Sequence, residues 1–339
     1  MKILISRTDK IGDLVLSIPS FNAIYQMYPH AEIYCLVRKY NADIVRNLPY
    51  ITDVIVKDDY ETEALSKLIQ NLKLDIFVAL FSDTEIAKLA KESGAKKRIG
   101  PYSKLSSFFS YNSGLRQKRS ESSKNEAEYN LDLIKSIDEE KFSKIKTLDY
   151  RVHIDKEYRE KIKIWLEKRG IDKYIIVHPL SGGSAKNLSL NQYANLINKL
   201  SRIYDEYSII VTGSGAEGEV VYDMVGRINR DNVFAWISSE SIQYLSALLD
   251  KSELFIGSST GPTHIAGSLG KKVVGIYPKI QVQSKVRWGI YGNRKVLYLE
   301  PKVECGEKYH CKKNCKHYDC FETLQIGEIL AKINGLLGE

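Results

Sequence analysis

Apolar and polar positions along the chain follow two alternating rhythms. Short runs rich in Ile, Val, Leu, Phe and Tyr alternate with longer segments whose apolar residues recur every three or four positions. The first rhythm predicts buried strands and the second amphipathic helices. In the first half the strands are expected at Lys2–Arg7, Ala31–Val37, Asp53–Lys57 and Asp75–Phe81, with helices such as Glu61–Leu72 and Thr84–Ser93 between them. The second half repeats the order. Strands are expected at Tyr174–His178, Tyr207–Thr212, Val233–Ile237, Glu253–Gly257 and Lys272–Tyr277. Helices are expected at Leu190–Ile203, Glu217–Ile228, Ile242–Leu249 and Pro262–Leu269, and a last one at Leu324–Leu337. Residues 138–170 are charged, largely helical and without a clear strand.

Strand and helix in regular alternation argue for parallel sheets covered by helices on both faces, an α/β class. A length of 339 residues exceeds the roughly 100–200 residues of one domain, so two are expected. The expected division is 1–155 and 156–322, each Rossmann-like, followed by a helix over 323–339 with packing back on the N-terminal domain as one expectation. Ligands of open α/β sheets bind beyond the carboxyl ends of the strands. Two such domains facing one cleft would suit a transfer between two substrates.

Composition narrows the class. A hydrophobic fraction of 43% with 27% charged residues is ordinary for a globular protein. No window holds the ~20 consecutive apolar residues of a membrane span, and the first residues, MKILISRTDKIGD, turn polar too soon for a secretory signal. A cytoplasmic protein is expected. The formal net charge of +8 suits nucleic acid, an anionic membrane face or a phosphorylated substrate. Residues 96–124 hold eight basic side chains against one acid, Glu121, with eight serines and the pair Phe108-Phe109. They read either as a mobile basic loop with an apolar tip or as an ordinary solvated loop. Cys35, inside a predicted strand, is expected to be a small buried hydrophobe.

Four motifs carry chemistry. After the first strand comes Arg7-Thr8-Asp9-Lys10-Ile11-Gly12-Asp13, with Pro19 six residues on. Asp13 is either a helix-capping or first-turn acid, or a general base on an acceptor hydroxyl. After the strand ending at His178 comes Pro179-Leu180-Ser181-Gly182-Gly183-Ser184-Ala185-Lys186. Its amides and lysine could hold a phosphate, although the Walker spacing is absent and Gly-Gly also makes an ordinary turn. Thr212-Gly213-Ser214-Gly215-Ala216-Glu217 lets a ligand approach the backbone. Glu217 could bind ribose hydroxyls or simply sit in a helix's first turn. Gly257-Ser258-Ser259-Thr260-Gly261-Pro262-Thr263-His264 is the most specific. Pro262 fits a first helical turn, and the free amides there with the Thr260 hydroxyl form an anion site suited to a diphosphate. His264 is open between a ligand contact and a structural histidine.

Gly12-Asp13 with Pro19, together with STGPTHIAGSLGKKVVGIY over 259–277, resembles glycosyltransferase family 9, the lipopolysaccharide heptosyltransferases of GT-B fold. The resemblance spans nearly the whole chain. It implies an inverting, metal-independent glycosyltransferase with Asp13 as general base. It also implies a donor site of Ser181, Gly182, Gly183, Lys186, Glu217, Ser259, Thr260, Gly261 and His264. Heptose from ADP-heptose would pass to a lipopolysaccharide core-type acceptor. Arg7 and Lys10 are expected near the acceptor, and the basic stretch against an anionic glycolipid at the inner membrane's cytoplasmic face. The family usually has Asp before Thr-Gly, where this chain has Ser259. That departure keeps open another nucleotide-sugar, or an O-antigen or protein acceptor. A non-catalytic nucleotide or nucleic-acid binding protein is a further alternative, but no nucleic-acid module is recognisable and no nucleic-acid partner is expected. No GxGxxG follows the first strand, which counts against an NAD-dependent oxidoreductase.

Cys305, Cys311, Cys315 and Cys320, with His310 and His317 between them, have the residue types of a structural zinc or iron site, free thiols being the alternative. No cofactor is expected in catalysis.

Overall fold

The computed structural model describes residues 1–102, 105–183, 185–238, 240–305 and 315–338. The chain divides into two compact units. The first comprises 1–119 and 124–153, and the second comprises 120–123 and the chain from 154 onward.

In the first unit five parallel strands form one sheet: β1 Lys2–Ser6, β2 Glu32–Val37, β3 Asp53–Val56, β4 Ile76–Ala79 and β5 Lys97–Ile99, in the order β3-β2-β1-β4-β5. The central strands are buried on both faces, Ile3, Leu4 and Ile5 completely, as expected of a parallel sheet covered by helices. Leu4, Leu36, Phe77 and Ala79 pack against Leu65, Ile69, Ile86 and Leu89 of the helices Thr62–Asn71 and Thr84–Glu92. Cys35 is fully buried in β2, and burial raises its thiol well above the usual range.

The second unit carries six parallel strands: β6 Tyr174–His178, β7 Ser208–Ser214, β8 Val233–Ser238, β9 Leu254–Ser258, β10 Lys272–Ile276 and β11 Val296–Leu299, in the order β11-β10-β9-β6-β7-β8. The closing helix Ile326–Gly338 packs within this unit. Its Ile326, Ile329, Leu330 and Ile333 join Leu196, Ile197 and Leu200 of the helix Leu190–Ile203 in one core.

Two strands, β5 and β11, do not announce themselves in the sequence. Both are edge strands of three and four residues, and β5 is Lys-Arg-Ile. Edge positions tolerate charge. Lys97 Nζ donates to the carbonyls of Ser136 (3.1 Å) and Ile137 (2.8 Å).

Strand order places the sites. In the first sheet the direction of winding reverses between β1 and β4, and in the second between β6 and β9. Loops leaving such a pair of strands diverge and open a crevice at their carboxyl ends. Arg7 and Asp13 leave β1, Leu80 leaves β4, the 179–186 loop leaves β6 and Thr260 leaves β9.

Candidate active site

At the carboxyl end of β1, Arg7 is the largest of the fully buried side chains, 1% exposed. Its guanidinium binds three acids. Nε donates to Asp9 Oδ1 at 2.7 Å, Nη2 to Asp13 Oδ1 at 2.8 Å, and Nη1 and Nη2 to Glu126 Oε1 at 3.2 and 3.1 Å. Nη1 also donates to Asn130 Oδ1 (3.0 Å) and to the Leu80 carbonyl (3.3 Å). Arg119 Nη1 donates to the same Glu126 oxygen at 2.5 Å. A buried guanidinium is tolerable because its donors are satisfied and its charge is matched. Its pKa lies above its ordinary value: burial alone would lower it, and Asp9, Glu126 and Asp13 together outweigh burial. These contacts engage the Arg7 guanidinium with carboxylates of its own unit, while Lys10 on the same loop is exposed.

Asp13 stands in the first turn of the short helix Ile11–Val15. Its carboxylate accepts from Arg7, and its side chain keeps 15% exposure. The backbone around it is fixed too. Ser17 Oγ donates to the Asp13 carbonyl (2.8 Å), and Asn130 Nδ2 donates to that Ser17 oxygen (3.2 Å). The result is a carboxylate with a rigid mount and one open edge, a geometry able to take a proton from a bound hydroxyl.

The corresponding edge of the second unit is built from small residues. Thr260 is the N-cap of the helix Gly261–Ser268, with Pro262 in its first turn and no acid there. Its hydroxyl reaches the Ser258 carbonyl and the Thr263 hydroxyl, both at 3.4 Å. Thr263 Oγ1 donates to the Ser258 carbonyl. Aligned peptide dipoles leave positive character at such a helix start. Gly257 pairs with His178 across β9 and β6. A Cβ at Gly257 would come within 2.9 Å of the Phe255 ring and 3.3 Å of the His178 carbonyl. His178 is buried, its Nδ1 3.0 Å from Thr212 Oγ1, and burial lowers it to about 4, so the ring is neutral at pH 7. His264 is buried as well, 4% exposed. Ser259 is half-buried, and the Tyr277 hydroxyl donates to the Trp288 carbonyl at 2.8 Å.

In the loop after β6, Gly182 and Gly183 adopt φ of 51° and 75°, the left-handed region that glycine enters without cost. Ser181 Oγ donates to the Ala185 carbonyl at 3.2 Å, and Ser184 lies outside the described residues. Lys186 Nζ donates to the Tyr318 carbonyl and sits 3.6 Å from the centroid of the Tyr318 ring. Glu217 closes a capping box, its carboxylate accepting from Ser214 N (2.9 Å) and Ser214 Oγ (2.7 Å). Both contacts are made by Oε2.

Cys311 and His310 lie outside the described residues. Burial raises the Cys320 thiol; Lys186 works against that, while Cys305 and Cys315 add to it. Among the described residues no group of three or more His, Cys, Asp or Glu side chains converges as metal ligands.

The basic stretch over 96–124 proves more structured than a loop. It contains β5 and the helix Leu105–Ser110, and much of its charge is spent internally. Lys96 pairs with Asp75 (2.8 Å), Lys124 with Asp132 (2.9 Å) and Arg119 with Glu126, while Arg98 donates to the Ser110 and Ala95 carbonyls. Phe108 and Phe109 remain 63% and 71% exposed, and Arg116 and Lys118 are exposed. Among the described residues no helix is long and apolar enough to cross a membrane.

The position of Asp13 was legible in the sequence; Asp9, Glu126 and Asn130 were not. Glu126 lies 119 residues from Arg7, and nothing local distinguishes it from a first-turn acid.

Residues 63–319 match the family model described as glycosyltransferase family 9 (heptosyltransferase). A Haemophilus influenzae protein described as a putative glycosyltransferase is 32% identical over 297 residues, covering 85% of each chain. The fold is similar to that of a glycosyl transferase family 9 protein from Veillonella parvula. The TM-score is 0.82 at 18% identity, covering 99% of this chain and 97% of that one. It is also similar to ADP-heptose lipopolysaccharide heptosyltransferase II of E. coli, with a TM-score of 0.80 at 17% identity, covering 99% and 98%.

Proposed function

The chain belongs to glycosyltransferase family 9 and is a glycosyltransferase of GT-B architecture, and on that premise we propose that it transfers heptose from ADP-heptose to a lipopolysaccharide core-type acceptor with inversion. The observation that carries this reading is the Asp13 carboxylate, mounted on Arg7 at 2.8 Å with one edge open. The acceptor oxygen forms its bond to the anomeric carbon as its proton passes to Asp13. The bond from that carbon to the diphosphate oxygen breaks, and the nucleoside diphosphate leaves with the electron pair. Thr260, the amides from Gly261 onward and Lys186 hold the leaving charge, so the step needs no catalytic metal. Ser181, Gly182 and Gly183 lie against the same phosphates, Glu217 turns its free oxygen to the ribose, and Ser259 and His264 border the sugar. Lys10 meets an acceptor anion.

The acceptor is an anionic glycolipid at the cytoplasmic face of the inner membrane. The exposed Phe108-Phe109 pair with Arg116 and Lys118 supplies the apolar and cationic contacts for peripheral docking there. Cys305, Cys311, Cys315 and Cys320 would hold a structural zinc or iron. Elemental analysis of the purified chain tests that part, and metal-free protein of undiminished melting temperature removes it.

A second donor reading rests on Ser259, a half-buried hydroxyl where the family usually has an acid. It is a family 9 transfer from another nucleotide-sugar, or to an O-antigen or protein. Thermal-shift measurement with ADP-, UDP- and GDP-sugars separates the two, because a ligand of the native state raises its melting temperature. A selective rise with ADP-heptose supports the first reading. A selective rise with a UDP- or GDP-sugar replaces it with the second, and no rise with any of them overturns the donor site.

A further inference from the structure

One guanidinium edge in the first unit holds two acids where a single one ordinarily sits. The Nε and Nη2 side of an arginine is the edge that a carboxylate commonly occupies bidentately. In Arg7 that edge is split, with Nε on Asp9 Oδ1 (2.7 Å) and Nη2 on Asp13 Oδ1 (2.8 Å). The two carboxyls thus flank one edge of a single guanidinium.

Asp9 is as firmly mounted as Asp13. Its carbonyl accepts from Asn41 Nδ2 at 3.0 Å and from the Tyr40 hydroxyl. Its side chain is 17% exposed against 15% for Asp13. The groups facing the pair are Arg7 from the end of β1, Glu126 and Asn130 from the helix Glu126–Lys135, Tyr40 and Asn41 from the turn Lys39–Ile44, and Arg119 behind Glu126. Three carboxyls thus share two guanidiniums, and a proton on one of the three restores neutrality.

We propose that Asp9 is a positioning residue of the transfer reaction, which acts through Asp13 by dividing Arg7 with it and offsetting that cation beside it. The proposal rests on the reading of Asp13 as general base. A carboxylate facing a buried arginine alone gives up its proton readily and is a poor base. The neighbouring acid offsets that cation. In the ionised pair, the acceptor's proton enters a site that two carboxylates share, and it leaves to solvent through the open edge after the product departs. Burial, with the Asp13 charge added and the Arg7 charge opposing, raises the Asp9 carboxyl to about 7.

The experiment is the pH profile of kcat/KM for the parent, Asp9→Asn, Asp9→Glu and Asp13→Asn with ADP-heptose and a core-type acceptor. The parent's acid limb is the reference. Asp9→Asn should move it lower by about one pH unit or more and reduce the alkaline plateau about tenfold, as a weaker base does. Asp9→Glu should restore the limb. Calorimetric donor affinity, expected unchanged in each variant, reports the intact fold. Should Asp9→Asn fail to fold, Asp9→Ser carries the same comparison. If Asp13→Asn keeps activity, the base assignment is wrong. If Asp13→Asn is inactive while Asp9→Asn keeps the parental acid limb, the role of Asp9 is overturned and the base stands.

Discussion

The two units solve the same topological problem with opposite chemistry. Each winds a parallel sheet outward from a central strand pair, β1 and β4 in one, β6 and β9 in the other, and each opens its crevice at the carboxyl ends of that pair. In the first unit the crevice is filled with charge: Arg7 buried against Asp9, Asp13 and Glu126. In the second it is lined with Gly257, Thr260, Gly261, Gly182 and Gly183, and its buried His178 is neutral at pH 7. Under the proposed function the contrast follows from what each site would do. A base needs a localised charge with a reachable pKa, which a dry interior allows only beside a counter-charge. A receiver of diphosphate needs donors without competing anions, and backbone amides supply those wherever side chains are small.

The first way to break the comparison is to remove the charge proposed to do the chemistry. Asp13→Asn keeps the shape and the Arg7 contact but cannot accept a proton. Transfer should fall by about 10²–10⁴-fold, the usual worth of a general base, with donor affinity by calorimetry unchanged. Retained turnover would make Asp13 a structural acid, as His178 is a structural histidine.

Removing the cation instead should cost stability rather than chemistry alone. Arg7→Met leaves Asp9, Asp13 and Glu126 without their central partner. Breaking a buried ion pair on one side typically costs about 3–5 kcal/mol. Urea denaturation should show that loss in the first unit's transition, and a loss below about 1 kcal/mol would mean that solvent screens the network far more than its burial implies. The second unit is broken by adding a methyl group. Gly257→Ala drives a Cβ against the Phe255 ring and the His178 carbonyl. The expected loss is about 1–3 kcal/mol from overpacking, together with weaker donor binding as the β9 edge shifts.

These sensitivities track what the sequence made legible. The central strands were readable because a parallel sheet buries both faces and writes unbroken apolar runs such as YIIVH and LFIGS. β5 and β11 were not, because an edge strand can be short and charged. In the site, Asp13 and Thr260 sit in local motifs beside a strand end, where spacing alone betrays them. Glu126 and Asn130 reach Arg7 from 119 and 123 residues away, and such a pairing exists only after the sheet forms. Of the three acids on Arg7, Asp9 and Asp13 lie in its own motif, and Glu126 alone comes from afar. In the basic run over 96–124, Lys96, Lys124 and Arg119 pair with Asp75, Asp132 and Glu126, partners that lie outside the run and that counting its charges leaves out.

The smallest effect is also the sharpest on the contrast itself, because the two crevices should respond to pH with opposite signs. Asp9 is raised in the folded state to about 7 from 3.8. The native first unit therefore binds a proton that the unfolded chain has lost, and its stabilisation is complete at low pH and is lost as pH rises through 7. His178 is lowered from 6.5 to about 4. The native second unit refuses a proton that the unfolded chain takes, so its stabilisation is complete above 6.5 and is lost as pH falls toward 4. Between pH 5 and 6.5 each contribution amounts to about 1–2 kcal/mol, and in the parent they oppose one another. Melting temperatures measured across that range in two variants separate them. Relative to the parent, Asp9→Asn should gain stability as pH rises, and His178→Gln should gain as pH falls. Differences running the same way in both variants would show that the two crevices are not electrostatic opposites, and that burial of charge in one and its exclusion from the other is not what distinguishes them.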